Sequence, residues 1–260
     1  MTVSSDHALS AEEQESLDRA GYVIRRDVFD RAEIADMAVH CERLVGDLVR
    51  HRQGKREQYG SYVFDSDLIN SVVIKWEGDT DYVHGIEPFA HLSPPLEAWA
   101  YDRRLIEPMR QFVGYEDVEL FTEKLNLKRP RHGGENPLHQ DYPYWIRVAD
   151  EATEVATTIV FLDDATVENG CLWVVPGSHK DGQWITRTDG DAFAANEVDP
   201  GAYPDLEVVP VELAAGSTLS FGPFLVHRSA PNTSDHGRRA LLYSYQPVGR
   251  RKMVDNMRHR

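Results

Sequence analysis

DVELFTEKLNLK, residues 117–128, is the stretch that decides the fold, because the apolar spacing changes there from a helical period to a period of two. In an extended chain, alternate side chains share a face. One face then carries Val118, Leu120, Thr122, Lys124, Asn126 and Lys128, and the other carries Glu119, Phe121, Glu123, Leu125 and Leu127. Neither face is wholly apolar, which indicates a strand whose inner face borders a polar cavity.

Further short strands are predicted on the C-terminal side of this stretch. They cover residues 155–162, 171–175, 208–213, 218–221, 225–227 and 239–245. Turn clusters such as Glu168-Asn169-Gly170 and Pro176-Gly177-Ser178 separate them. Many short strands divided by turns are typical of a β-sandwich or barrel.

On the N-terminal side the apolar spacing is helical. Ser10 and Glu13 form a capping box that predicts a helix ending near Gly21, and Asp30 begins a second helix that runs to about residue 49. A third helix is predicted over residues 95–113. We therefore expect a mainly β fold in one domain, residues 1–260. Its helical part, 1–115, should pack on one sheet of a β core at about 116–250.

Composition excludes several classes of protein. The formal net charge of −15 argues against nucleic acid or an anionic membrane surface as a partner. The sequence contains neither an apolar run of roughly 20 residues nor a leader-like start, so a cytoplasmic protein is expected. Two cysteines, Cys41 and Cys171, cannot provide a disulfide framework or a thiolate metal site. The basic cluster 250–252 is interpreted as a solvated end.

Three histidines precede an acidic residue by two positions: His40, His139 and His179. His40 lies in a predicted helix, where positions i and i+2 are about 200° apart and cannot easily share a metal. His179 lies in a turn, where a structural role is expected. His139 and Asp141 follow Pro137, which favours extended backbone, so their side chains can point the same way.

His227, at the end of TLSFGPFLVH (218–227), provides a third candidate ligand. Two histidines and a carboxylate on one face of a barrel form the facial triad of non-haem iron(II) oxygenases, which leaves positions open for a bidentate oxoacid and dioxygen. Arg238 begins the next strand, where its guanidinium could hold a distal carboxylate with help from Ser229. Arg239 should point outward.

Three motifs together resemble the phytanoyl-CoA dioxygenase family. They are NPLHQD (136–141), NGCL (169–172) running into PGSHK (176–180), and HRSAPN (227–232) followed by Arg238. The start GYVI (21–24) after a helix is similar to the N-terminus of the family. The resemblance covers nearly the whole chain, and the motifs stand in the order that the family has.

This resemblance implies a double-stranded β-helix, the jelly-roll or cupin-like core. It also implies Fe(2+) held by His139, Asp141 and His227, with 2-oxoglutarate and dioxygen as cosubstrates. The oxoacid would be held by Arg238, Ser229 and Asn126. Family halogenases lose the carboxylate ligand, so its presence here favours hydroxylation or a related oxidation.

The expected enzyme is an iron(II)- and 2-oxoglutarate-dependent dioxygenase that hydroxylates an unactivated C–H bond of a small natural-product intermediate and releases succinate and CO2. Desaturation, epoxidation and ring formation stay open as outcomes. Candidate substrate contacts are Gln140, Tyr142, Tyr144, Trp145, Trp173 and Phe224. The loop 181–204 is either a lid or a passive excursion.

Two alternatives also stay open. One is a non-catalytic jelly-roll protein that keeps a metal for structure. The other is a cupin-like metal-dependent hydrolase or isomerase, which would need no oxoacid and therefore no buried arginine.

Overall fold

A computed structural model of the chain describes residues 6–52, 54–59, 62–78, 80–188 and 194–258. The helices are α1 (Ala11–Ala20), α2 (Arg31–His51), α3 (Pro94–Ala100), α4 (Arg103–Val113), α5 (Tyr142–Trp145) and α6 (Met253–Arg258). The strands are β1 (Tyr22–Arg25), β2 (Arg56–Tyr59), β3 (Tyr62–Asp67), β4 (Val72–Trp76), β5 (Val83–Glu87), β6 (Val118–Lys128), β7 (Asn136–His139), β8 (Ala156–Phe161), β9 (Leu172–Val174), β10 (Val209–Val211), β11 (Thr218–Phe221), β12 (His227–Ser229) and β13 (Arg238–Pro247). None of the helices within these ranges has the length and apolar character that crossing a bilayer requires.

The strands form two antiparallel sheets. The large sheet has the order β1-β11-β8-β13-β6-β5-β4-β3-β2, and the small sheet has the order β10-β9-β12-β7. Apolar side chains from both sheets pack against each other: Ile159, Phe161, Leu219 and Ala240 from the large sheet, Leu172, Val174 and Val211 from the small one. This is the two-sheet arrangement of a jelly roll, and the predicted fold class is confirmed.

The other face of the large sheet is covered by helices α2, α3 and α4. Apolar residues of α2, including Met37 and Cys41, are fully buried in one core with Leu241 of β13. Tyr243 and Tyr245 of β13 donate their hydroxyls to backbone carbonyls of α3, at 2.9 and 2.6 Å. Helix α2 begins at a capping box of Asp30 and Glu33, as predicted.

Four predictions about elements are corrected. The helical part expected over 1–115 also contains strands β1 to β5, four of which extend the large sheet beyond β6. The helix expected over 95–113 is divided into α3 and α4, because Asp102 caps a new helix by accepting from the backbone N–H of Arg104. The strand expected over 225–227 is displaced and begins at His227. The basic cluster 250–252 is ion-paired with Glu154, Asp150 and Glu119.

The alternation predicted along β6 holds only beyond a bulge opposite Ser244 and Tyr245 of β13. On the C-terminal side of the bulge in β6, Lys124 and Asn126 face the cavity between the sheets. Before the bulge the faces are exchanged, so Val118 and Leu120 pack into the helix-covered core.

Candidate metal centre

The three residues predicted as metal ligands meet between β7 and β12. His139 lies directly opposite His227 in the strand pairing, and their ring centroids are 4.2 Å apart. Asp141 follows β7, with its carboxylate 3.9 Å from His139 Nε2. One ligand atom from each of the three residues lies within 4.8 Å of the others. This spacing fits one metal ion held on one face.

Backbone carbonyls orient both imidazoles. His139 Nδ1 donates to Pro137 O at 2.7 Å, and His227 Nδ1 donates to Leu225 O at 3.0 Å. Each ring therefore keeps its Nε2 lone pair for a metal, which is the usual outer-shell support of a ligating histidine. Burial, together with His227, lowers the pKa of His139 well below its ordinary value, and burial raises the pKa of Asp141. Two imidazole nitrogens and one carboxylate oxygen are a donor set suited to iron(II).

A buried guanidinium lies in the same cavity. Arg238 is 4% exposed, and its Nη2 donates to Gly170 O at 2.7 Å. Its Nε is buried and has no hydrogen-bond partner among the described residues, and the same holds for Asn126 Oδ1. Burial lowers the pKa of Arg238 to about 10, which leaves it charged at neutral pH. A buried cation with a free donor fits a carboxylate ligand.

The cavity has a volume of about 520 Å³ and is lined from both sheets. Ser229, a predicted oxoacid contact, and Tyr144 and Trp145, predicted substrate contacts, contribute to its wall. Side chains that the sequence interpretation missed also line it: Phe64, Val73, Lys75, Lys124, Asn136 and Glu197. Val73 and Lys75 of β4 could have been found from the segment VVIKW (72–76). Its alternating residues Val72, Ile74 and Trp76 are buried, a pattern that predicts a strand.

Four predicted substrate contacts lie outside the cavity wall: Gln140, Tyr142, Trp173 and Phe224. Gln140 is 1% exposed and bonds three backbone groups, because alternation turns it away from its neighbours His139 and Asp141. Tyr142 and Phe224 pack against each other, with ring centroids 4.5 Å apart. Trp173 lies under the guanidinium of Arg228, which is 5.2 Å from its ring centroid.

The loop 181–204 is attached to the small sheet where it is described. Val198 N donates to Leu138 O at 2.7 Å, and Trp184 stacks on Tyr203 at 4.1 Å. Gly190, which the sequence interpretation counted in this loop, lies outside the described residues. Glu197 brings the loop to the cavity wall. Whether the loop moves as a lid stays a prediction.

A jelly roll with two histidines, a carboxylate and a buried arginine in one cavity defines the class of non-haem iron, 2-oxoglutarate-dependent oxygenases. The family model "Phytanoyl-CoA dioxygenase (PhyH)" matches residues 17–240, and the chain belongs to this family. The resemblance found in the sequence is thereby confirmed. The protein is an enzyme of the 2-oxoglutarate-dependent dioxygenase class, and the family uses Fe(II), 2-oxoglutarate and dioxygen.

Individual relatives are distant. A phytanoyl-CoA dioxygenase domain-containing protein 1 homolog of Caenorhabditis elegans is 25% identical over 257 residues, covering 87% of each chain. The L-proline trans-4-hydroxylase of Streptomyces griseoviridis is 32% identical over 151 residues, covering 50% of this chain and 55% of its own. The structure of EctD from S. alaskensis with 2-oxoglutarate and 5-hydroxyectoine has a TM-score of 0.74 at 23% identity, covering 94% of this chain and 78% of that one. At that identity the structural likeness establishes the fold alone.

Proposed function

We propose that this enzyme hydroxylates an unactivated C–H bond of a small molecule, with His139, Asp141 and His227 holding iron(II). In this proposal Arg238 and Ser229 bind the far carboxylate of 2-oxoglutarate, and Asn126 contacts its oxoacid end. The observation that carries the proposal is the buried Arg238 Nε, which lies in the same cavity as the triad and has no hydrogen-bond partner in the described part of the chain. A metal-dependent hydrolase or isomerase would have no use for that cation.

Bound iron(II), 2-oxoglutarate and dioxygen supply the oxidation of the C–H bond, with release of succinate and CO2. The residues of the chain bind these groups and orient them. The Nδ1 hydrogen bonds of His139 and His227 fix the ligand nitrogens, and the guanidinium of Arg238 sets the distance from the far carboxylate to the triad. Apolar walls such as Trp145 and Leu172 exclude water from the reacting carbon.

The size of the cavity supports a small substrate. About 520 Å³ is within the range that holds one drug-sized ligand, and the oxoacid takes part of that space. Lys124 and Glu87, 3.4 Å apart, add a charged pair to a wall that also contains Lys75, Glu197 and apolar side chains. A natural-product intermediate therefore fits better than an acyl-CoA, whose polyanionic carrier would face a chain of net charge −15. The names of two relatives, a proline hydroxylase and a protein crystallised with 5-hydroxyectoine, also favour hydroxylation of a small metabolite.

Alanine variants of the triad test the metal assignment. We expect His139→Ala, Asp141→Ala and His227→Ala each to abolish succinate formation from 2-oxoglutarate, because each removes one ligand. Calorimetric titration with manganese should show weakened metal binding while circular dichroism stays native. Full activity in any of the three would remove that residue from the triad. No succinate from the wild-type enzyme under any condition would favour a non-catalytic metal-binding protein.

Substrate-stimulated 2-oxoglutarate turnover across a library of small metabolites tests the substrate assignment. Compounds that raise turnover would then be followed by mass spectrometry of the product. A gain of one oxygen atom supports hydroxylation, whereas a loss of two hydrogens would indicate desaturation or ring formation instead. Stimulation by acyl-CoA thioesters alone would contradict the choice of a small natural-product intermediate.

A further inference from the structure

Strands β4 and β5, outside the part of the chain predicted to be β, contribute a polar cluster beside the metal centre. His84 of β5 has its Nδ1 2.7 Å from the carboxylate of Glu77, and its Nε2 lies 3.2 Å from the amide oxygen of Asn136. Lys75 of β4 donates to the same amide oxygen at 3.1 Å. His84 is 3% exposed, so this cluster is shielded from solvent.

The side-chain amino group of Lys75 donates to the amide oxygen of Asn136, and this hydrogen bond determines which way the amide faces. The amide oxygen is therefore directed at Lys75. The amide nitrogen is then directed at the opposite side, where it donates to Ser229 Oγ at 3.2 Å. Asn136 thus connects β4 and β5 of the large sheet to β12 of the small sheet.

This contact constrains the hydroxyl of Ser229. A hydroxyl has one proton to donate and two lone pairs, and here the amide of Asn136 occupies one lone pair. Ser229 is 3% exposed and shares the cavity with Arg238. The proton of Ser229 is then directed away from Asn136 and is free to be donated to an acceptor in the cavity. A carboxylate held by Arg238 would be such an acceptor.

We propose that Asn136, held in place by Lys75, is a positioning residue that directs the hydroxyl proton of Ser229 toward the far carboxylate of 2-oxoglutarate. This inference rests on the proposed function, in which Arg238 and Ser229 bind that carboxylate. It gives strand β4 a role in cosubstrate affinity besides that of forming a wall.

The test compares two ligands on manganese-loaded protein under anaerobic conditions. Oxalate can chelate the metal but has no far carboxylate, whereas 2-oxoglutarate has both groups. We expect Asn136→Leu to weaken 2-oxoglutarate about three- to tenfold, the effect of one hydrogen bond, and to leave oxalate affinity unchanged. Asn70→Leu, an asparagine in the turn between β3 and β4 that does not line the cavity, is the matched control and should change neither affinity.

A double-mutant cycle tests the route through Ser229. Once Ser229→Ala has removed the hydroxyl, adding Asn136→Leu should have little further effect on 2-oxoglutarate affinity. If Asn136→Leu does not fold, Asn136→Asp replaces it, since that residue keeps the shape and loses the donor.

Three results would overturn the inference. These are an equal loss of oxalate affinity in the Asn136 variant, an undiminished effect in the Ser229→Ala background, or unchanged 2-oxoglutarate affinity. Arg238→Gln, measured in parallel, separates this inference from the proposed function. If Arg238→Gln weakens 2-oxoglutarate and Asn136→Leu does not, the positioning role alone fails. If neither does, the assignment of the oxoacid site fails as well.

Discussion

Two adjacent arginines at the start of β13 have opposite environments. Arg238 points into the cavity, where its Nε is buried without a partner among the described residues. Arg239 points to the outer face, where it pairs with Asp163 at 2.7 Å and with Glu42 at 3.2 Å. These carboxylates raise the pKa of Arg239, whereas burial lowers that of Arg238. Strand alternation alone separates the two side chains.

Replacing Arg238 with glutamine should weaken 2-oxoglutarate by about a hundredfold or more, because one partner of a buried ion pair is lost at a cost of roughly 3–5 kcal/mol. Metal affinity should change little, since the triad is intact. Lysine should restore only part of the affinity, because a point charge cannot reproduce the two parallel hydrogen bonds of a guanidinium. Anaerobic calorimetry on manganese-loaded protein measures both affinities.

Arg239→Gln is the matched control for that experiment. It should leave 2-oxoglutarate affinity unchanged and lower only the stability of the fold, through the lost pair with Asp163. A critical Arg239 beside a dispensable Arg238 would mean that the inward face of β13 has been assigned to the wrong set of residues.

Residue-level prediction from the sequence succeeded where a local rule applies. Pro137 predicts extended backbone before His139 and Asp141, and Arg238 is assigned by alternation, so their grouping in one cavity could be predicted. The contact between Asn136 and Lys75 could not be predicted, because it joins positions 61 residues apart in the chain. Too many aromatic residues were predicted to line the cavity. Helix α5 begins directly after Asp141 and turns Tyr142 toward Phe224.

At the scale of elements, β6 is joined to the helical layer by a buried carboxylate. Glu123 is 5% exposed and accepts the backbone N–H groups of Phe89 and Ala90, at 2.8 and 2.6 Å. Burial raises its pKa from 4.5 to about 7, although both hydrogen bonds act in the other direction. The folded protein therefore holds a proton on Glu123 at pH values where the unfolded chain has released it.

The sign of the resulting pH dependence follows from linkage. Between about pH 4.5 and pH 7 the folded state binds more protons at Glu123 than the unfolded state, so this contribution to stability is full below that window and is lost as pH rises through it. In Glu123→Gln the free energy of unfolding should no longer fall across this window, a fall of about 3 kcal/mol at most in the wild type. Urea unfolding of both proteins at about pH 5 and about pH 8 measures the difference.

Glu116→Gln, at an exposed position before the same strand, serves as the control and should behave like the wild type. Equal pH dependence in wild type and Glu123→Gln would show that Glu123 is ionised in the folded protein throughout this range.

Strand β3, which the sequence did not reveal, has a physical reason for being missed. In β3, Val63, Asp65 and Asp67 alternate at buried positions, so two of the three inward residues are carboxylates. Asp65 is compensated by Arg52 at 3.0 Å, a partner outside the strand. Hydrophobic periodicity cannot detect a strand whose inner face is charged, whereas in β8 and β13 the inward positions are largely apolar or uncharged and were predicted to within a few residues.

At the scale of the whole molecule, the sandwich and its helical cover were predictable, and the pairing order was not. Short strands and turns indicated two β layers, and helical spacing indicated where the cover lies. Besides β13, the neighbour of β6 is β5, and their pairing joins Gly85 to Asn126 and Ile86 to Leu125. Such a pairing depends on long-range packing, which the spacing of one segment does not encode.

The triad and the arginine belong to different sheets, which predicts how ligands stabilise the fold. His139 and His227 lie on the small sheet, and Arg238 lies on the large one. Manganese should raise the melting temperature, and 2-oxoglutarate should raise it further, by about 2.7 kcal/mol of stability at a hundredfold excess over its Kd. In Arg238→Gln the manganese step should persist and the 2-oxoglutarate step should largely disappear. Differential scanning fluorimetry measures both.

The same division between the sheets has a mechanical consequence. A ligand that reaches from the triad to Arg238 is a crosslink between two layers that are otherwise joined by apolar contacts, loops and hydrogen bonds such as that of Asn136. Decarboxylation removes one carbon from that crosslink, so succinate spans the gap less well than the molecule it came from. The layers would then be drawn together and released once per catalytic cycle. Hydrogen exchange measures this difference. We expect the backbone amides of β12 and β13 to exchange more slowly with 2-oxoglutarate bound than with succinate bound.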